Sequence, residues 1–378
     1  MNVPLLDLRV LYQRQKAEID AAVAGVLASQ AFILGAEVGA FEQEVLAFVG
    51  APDAHAVGVA NGSDAIVLAL RGMGIGRGDE VICPAYSFTS TATSISLVGA
   101  TPVFADVELP GCNVEPDAVL AQVGPKTKAI IAVHLYGRAA DVAALREGLK
   151  AMGRADVPII EDAAQALGAA LDGVPVGRLG DVMTTSFFPS KNLGCFGDGG
   201  LVLCHDEALG QRVRMLRAHG AKEKYKAEYV GQNSRLDALQ AAVLRVKLPA
   251  LRGWCEERAA NAEYYRERFA ALALDDALTL PPGSDGGRYL CIYNQFNVLA
   301  RDRDALRAAL GEAGIGSAVY YPRTLPMQPC YAELGYAPTD HPNATYAASR
   351  SLAIPVYPGV TRAQLDHVVE TIARFYGA

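Results

Sequence analysis

The sequence predicts an α/β protein: a large domain on a mainly parallel sheet with helices on both faces, then a smaller C-terminal α+β domain. Three observations predict it. Seven short apolar, β-branched runs recur between residues 56 and 204, and helix-period segments separate several of them. After Asn233 the pattern changes to long helices with only isolated strand candidates. Strands that read as continuous apolar runs are buried on both faces, and strands separated by helices pair in parallel. An open sheet of this kind binds its ligands beyond the carboxyl ends of its strands.

The strand candidates are 56–60, 80–84, 101–106, 128–136, 157–162, 181–188 and 200–204, with helices expected at 64–73, 87–98 and 141–152. Further on, 236–246 and 251–272 read as long helices, and Pro249 suits the start of the second. A Pro-Gly-Ser-Asp-Gly-Gly loop at 282–287 precedes a strand candidate at 291–300, a helix at 302–313, a short strand at 317–321, a Pro-rich stretch and two final helices. The division expected is 1–250, including an N-terminal helical segment, and 251–378, joined through a long helix.

Bulk properties narrow the function classes. With 51% hydrophobic and 20% charged residues the chain has a core to bury and is no disordered tail. Its net charge of −7 carries no basic block, so neither a nucleic acid nor an anionic membrane finds an electrostatic footprint. No apolar run is long enough to span a bilayer, and Asp7 and Arg9 interrupt what a signal peptide would need. Seven dispersed cysteines, none at metal or redox spacing, suit a reducing compartment, so the expected location is cytoplasmic.

Five motifs carry chemistry. In VPIIEDAAQALG a buried-type strand ends in Glu161-Asp162, followed by Gln165. A carboxylate at a strand tip that faces a pyridine nitrogen keeps it protonated, which makes the ring an electron sink. Alone, such a carboxylate reads equally as a helix cap or a loop ion pair. In TTSFFPSKNLGCFGDGG, Lys191 follows a strand, is framed by Ser186 and Ser190, and is trailed by four glycines. A partly desolvated lysine has a lowered pKa and condenses with aldehydes, whereas a lysine in a Gly-rich loop is otherwise just a solvated charge. In VANGSDAIVLAL a strand runs through Gly62, Ser63 and Asp64 into an apolar helix, an anion site or a simple helix cap. Phe88, in PAYSFTSTATS, suits stacking on a flat ring, or the core. Asn233 and Arg235 precede an amphipathic helix and by themselves suggest a surface loop with a cap. GMGIGRG at 72–78 lacks dinucleotide spacing, which argues against a nicotinamide-dependent oxidoreductase.

Taken together, NGSDA, PAYSFTSTA, HLYG, EDAAQA, SFFPSKNLG, GDGG and GQNSRLDALQAA resemble the DegT/DnrJ-type nucleotide-sugar aminotransferases of fold type I, from PLLDL at residue 4 to LAIPVYP at 352–358. The resemblance implies pyridoxal 5′-phosphate as cofactor. Lys191 would bond to it covalently and move the proton, Asp162 would hold the pyridine nitrogen, Gln165 would reach the phenolic oxygen, and Phe88 would stack on the ring. Gly62, Ser63, Asp64 and Ser186 would hold the phosphate, with Asn233 reaching in from the second subunit of a homodimer. Glutamate would donate the amino group. HLYG, the RAHGAKEKY stretch at 217–225 and NSRLD look like the branch that aminates a 3-keto position, typically of a TDP-linked 6-deoxyhexose; a UDP-linked 3-keto sugar or a 4-keto sugar is the alternative. His134 and Tyr321 are candidate substrate contacts, a core role for His134 being the alternative. Where the family carries Tyr-Pro-x-Pro-Leu-His, this chain has Tyr321-Pro322-Arg323-Thr324-Leu325-Pro326. Arg323 is there a candidate for a sugar carboxylate or a diphosphate, or an arginine on a solvated loop. A related dehydratase would carry histidine in place of Lys191. A non-catalytic regulator of the same fold would have lost the set Asp162, Gln165, Ser186 and Lys191, which is intact.

Overall fold

The structure is a computed structural model that describes residues 1–223, 225–274 and 276–378. Seven strands form the main sheet: β1 (His55–Val59), β2 (Glu80–Pro84), β3 (Thr101–Ala105), β4 (Thr127–Val133), β5 (Ile159–Asp162), β6 (Val182–Ser186) and β7 (Gly200–Cys204). Their spatial order is β1-β7-β6-β5-β4-β2-β3, and β7 alone runs against the rest. The reason is the connection. A parallel return needs a crossover, usually a helix, and the short loop from Ser186 to Gly200 supplies none. That loop is therefore a reversal at the sheet's carboxyl edge, and it carries Lys191.

Alternate strand residues enter different cores, as a sheet covered on both sides requires. Val81 and Cys83 of β2, with Ala129 and Ile131 of β4, pack on one face, while Ile82, Ile130 and Ala132 pack on the other. The helices Gly62–Gly72, Ser90–Leu97 and Val142–Ala151 lie within a few residues of their expected positions. Before the sheet, Leu8–Arg14, Lys16–Ser29 and Ala36–Val49 are helical, and the latter two pack on the helix Ala238–Lys247. A buried ion cluster ties this layer to the sheet edge. Glu42 Oε1 accepts from Arg217 Nη1 at 2.6 Å and from Gly58 N at 2.8 Å, and Oε2 accepts from Arg214 Nη1 at 2.9 Å.

The 21-residue helix Leu251–Ala271 leads to a second, antiparallel sheet of Phe296–Ala300 between Leu278–Thr279 and Ser351–Ile354. Two expectations fail here. The strand proposed at 291–300 begins only at Phe296, and 317–321 is no strand; Ala318 makes a single bridge, to Ala353. The partner strand at 351–354 was hidden by the prolines that follow it. Pro249, expected at the start of the second long helix, lies in a 3₁₀ turn, Leu248–Ala250, that runs directly into it. One hydrophobic core runs from Val3 through Phe187 and Trp254 to Ile372, so both sheets share it. Of the RAHGAKEKY stretch, Lys224 lies outside the described residues; around it Ala221–Glu223 and Lys226–Ala227 pair as a small ribbon. Among the described residues no helix is long and apolar enough to cross a membrane, and no group of three His, Cys, Asp or Glu could hold a metal ion.

Candidate active site

A cavity of about 470 Å³ opens at the carboxyl ends of the parallel strands. Its wall holds Gly62, Ser63, Phe88, Asp162, Gln165, Ser186 and Lys191 of the sequence-derived set, together with Tyr321. Among the polar neighbours that the sequence did not single out, Ser90, Gln295 and Tyr320 also line it. Ser90 falls inside a motif read for its phenylalanine, and nothing in the pattern around Gln295 marks it.

Asp162 ends β5 with its side chain buried. Its carboxylate accepts from Ala164 N at 3.1 Å and from Thr91 Oγ1 at 3.4 Å, and among the described residues no cation pairs with it directly. Burial pushes this carboxyl above the usual carboxylate range, against the pull of the Ala164 amide and Lys191. Lys191 shows the mirror image: burial draws its ammonium below the usual lysine range, and Asp162 opposes the shift. Each group is thus placed at a cost that a bound heteroaromatic cation and an aldehyde would offset. Gln165 is held at both ends. Its Oε1 accepts from Tyr136 N at 2.7 Å, and its Nε2 donates to Tyr321 Oη at 3.2 Å.

The helix Gly62–Gly72 is capped by Asn61, whose Oδ1 accepts the N–H of Asp64 at 2.8 Å. The cap is therefore neither Ser63 nor Asp64. Asp64 has spent its amide on it and does not line the cavity, while the first-turn amides of Gly62 and Ser63 remain for an anion. A side chain at residue 62 would clash, since its Cβ would lie 2.6 Å from Ser186 Cβ. Only glycine lets the helix start and the end of β6 converge on one spot. The donor set fits a phosphorylated pyridine aldehyde: free helix amides and a serine at one end, a carboxylate at the other, and a lysine in the same cavity.

Three expected residues stand elsewhere. His134 is completely buried and does not line the cavity: Nδ1 accepts from Ala140 N at 2.9 Å, so Nε2 carries the proton and donates to Glu161 Oε2 at 2.9 Å. Glu161 also accepts from the amides of Gly177, Leu179 and Gly180, so this pair braces β5 from behind the site. Arg323 is exposed, with Nη1 donating to Met327 O at 3.4 Å, away from the cavity wall. Asn233 is exposed, tied to Ala218 by a backbone bridge, and outside the cavity of its own chain. Phe88 is 57% exposed at the mouth, its ring 6.0 Å from that of Tyr321.

Residues 13–373 match the model of the DegT/DnrJ/EryC1/StrS aminotransferase family. A pleiotropic regulatory protein of Geobacillus stearothermophilus is 45% identical, across 100% of this chain and 99% of that protein. The dTDP-3-amino-3,4,6-trideoxy-alpha-D-glucose transaminase of Streptomyces venezuelae is 41% identical, across 98% and 95%. The UDP-N-acetyl-3-dehydro-alpha-D-glucosamine 3-aminotransferase of Acidithiobacillus ferrooxidans is 40% identical, across 98% and 97%. Among solved structures, S. venezuelae DesV in complex with a ketimine intermediate superposes with a TM-score of 0.93 at 39% identity, covering 100% of this chain and 99% of that one. The chain belongs to the DegT/DnrJ/EryC1/StrS aminotransferase family and is an aminotransferase that uses pyridoxal phosphate.

Proposed function

We propose that the protein moves an amino group from glutamate to the 3-keto carbon of a nucleotide-linked sugar, with a TDP-linked 3-keto-6-deoxyhexose as first choice. The observation that carries the reading is the cavity that joins Lys191, Asp162, Gln165 and the uncrowded helix start at Gly62. When bound, the cofactor supplies an electron sink for the carbon that gains or loses the amino group. The chain does the rest. Asp162, buried at the strand tip, holds a proton on the pyridine nitrogen, and Gln165 orients the ring through its phenolic oxygen. The amides of Gly62 and Ser63, with the Ser186 hydroxyl, anchor the phosphate, and Phe88 covers one ring face. Lys191, its ammonium drawn below the usual lysine range by burial, takes a proton from one carbon and returns it to another. No role in the phosphate site is left for the Asp64 amide, and His134 acts only by bracing β5.

The partner's Asn233 completes the phosphate site in this reading, which makes the working unit a homodimer. The exposed ring of Phe196 and the exposed Leu27 and Ile33 support it, because a second copy would cover them. We read the chain as residues 1–250 carrying the cofactor and 251–378 closing over the sugar. Relatives act on both dTDP- and UDP-linked sugars, so the test is a panel. The enzyme, converted by glutamate to its amino form, is mixed with TDP- and UDP-linked 3-keto and 4-keto hexoses, and amine product is measured. The reading expects turnover with the TDP-3-keto-6-deoxy sugar; turnover confined to UDP or 4-keto sugars would replace it.

A further inference from the structure

The cavity has two walls of different chemistry. The wall from residues 61–198 carries the groups assigned above to the cofactor. The opposing contribution comes from the second half of the chain, through Gln295, Tyr320 and Tyr321. Gln295 directly precedes Phe296–Ala300, the middle strand of the second sheet, and is flanked by the buried Asn294 and Phe296. The strand fixes where its carboxamide sits. The Oε1 atom is buried, yet among the described residues it has no hydrogen-bond partner. A buried acceptor without a donor is unfavourable, and because Gln295 lines the cavity and no hydrogen bond holds its side chain among the described residues, a turn of that side chain would present the oxygen to a ligand donor.

The neighbours on this wall are pinned rather than loose. Tyr86 Oη donates to Tyr320 O at 2.7 Å and accepts from Tyr321 N at 2.6 Å, while Tyr321 Oη accepts from Gln165 Nε2. Burial raises both phenols above the ordinary tyrosine range, so they stay neutral donors. Among the described residues this wall therefore offers a carboxamide and two phenols and no cation. Arg323, the one arginine adjoining it in sequence, points its guanidinium at Met327 O. Neutral groups of this kind read hydroxyls, whereas carboxylates call for arginine or lysine.

We propose that Gln295 is a specificity-determining residue whose Oε1 accepts a hydrogen bond from a hydroxyl of the sugar, so that the second wall selects a neutral hexose over a uronic acid. This rests on the nucleotide-sugar reading above. The test is calorimetric binding to cofactor-loaded wild type and Gln295→Leu, using TDP, UDP, TDP-glucose, UDP-glucose and UDP-glucuronate as probes. Wild type should bind UDP-glucose more tightly than UDP-glucuronate. Gln295→Leu should weaken TDP-glucose and UDP-glucose by roughly tenfold, the size of one lost hydrogen bond, and leave TDP and UDP unchanged. Unchanged sugar-nucleotide affinity, an equal loss for the free diphosphates, or wild-type indifference to the carboxylate would each overturn the proposal. If wild type binds none of the probes, the nucleotide-sugar reading falls with it. If wild type binds and the variant is indistinguishable, only the role of Gln295 falls. Should Gln295→Leu not load cofactor, Gln295→Met, of near-equal length, reads the same difference.

Discussion

At the scale of single residues, the site is organised by two groups whose pKa values burial shifts, Asp162 upward and Lys191 downward. Neither direction could be read from the sequence, because each depends on how completely the fold excludes water. The positions themselves were legible: a strand tip for the carboxylate, a glycine-trailed loop for the lysine. Asp162→Asn replaces the carboxylate with a near-isosteric neutral amide, so loading of the cofactor should survive while the charge on the pyridine nitrogen is lost. We expect kcat to fall about a hundredfold or more, the scale on which pre-placed charge acts in catalysis. Retained visible absorbance of the lysine-bound cofactor is the check on integrity, and a kcat within a factor of three of wild type would remove Asp162 from the mechanism. His134 and Arg323 teach the complementary lesson. Both are chemically suited to a pocket, but His134 spends both ring nitrogens inside the core and the exposed Arg323 turns its guanidinium to Met327 O.

At the scale of elements, the loop between β6 and β7 is what brings Lys191 to the cavity, and a helix end holds it. Lys247 closes Ala238–Lys247 and donates its ammonium to the Gly194 carbonyl in that loop, 5.4 Å from the Phe196 ring centre. Burial draws this ammonium from 10.5 down to about 8. Between those values the unfolded chain binds more protons than the folded one, so stability rises with pH. Relative to Lys247→Met, wild type should therefore gain roughly 1–3 kcal/mol as pH rises from about 8 to about 10. Urea melts of both proteins across that range measure it; a difference that does not change with pH would contradict the buried ammonium. The elements of the first sheet were legible because apolar runs and helix periods are local. The reversal of β7 was written only in the lack of a helix between it and β6. The edge strand at 351–354 and the late start at Phe296 were not legible, since short strands in the second sheet exist by pairing with partners far away in sequence.

At the scale of the whole molecule, one core joins both sheets, and the cavity takes wall residues from both halves of the chain. The proposed homodimer adds residues across copies: Lys191 would act in its own subunit and Asn233 in the other. That arrangement predicts complementation. Lys191→Ala and Asn233→Asp homodimers should each be nearly inactive, but refolded together they should regain activity, because a mixed dimer holds one site with neither change. A mixture no more active than its parents would place both residues in one chain's site or in none.

The central claim is that Lys191 holds the cofactor and that glutamate loads it with an amino group. The most direct measurement is the absorbance spectrum of the purified protein with pyridoxal phosphate, before and after glutamate, beside Lys191→Ala. Wild type should show a visible band from lysine-bound cofactor, glutamate should replace it with the spectrum of the pyridoxamine form, and the variant should show no such band. A wild type that never develops the band, or a variant that develops it equally, would contradict the account at its root.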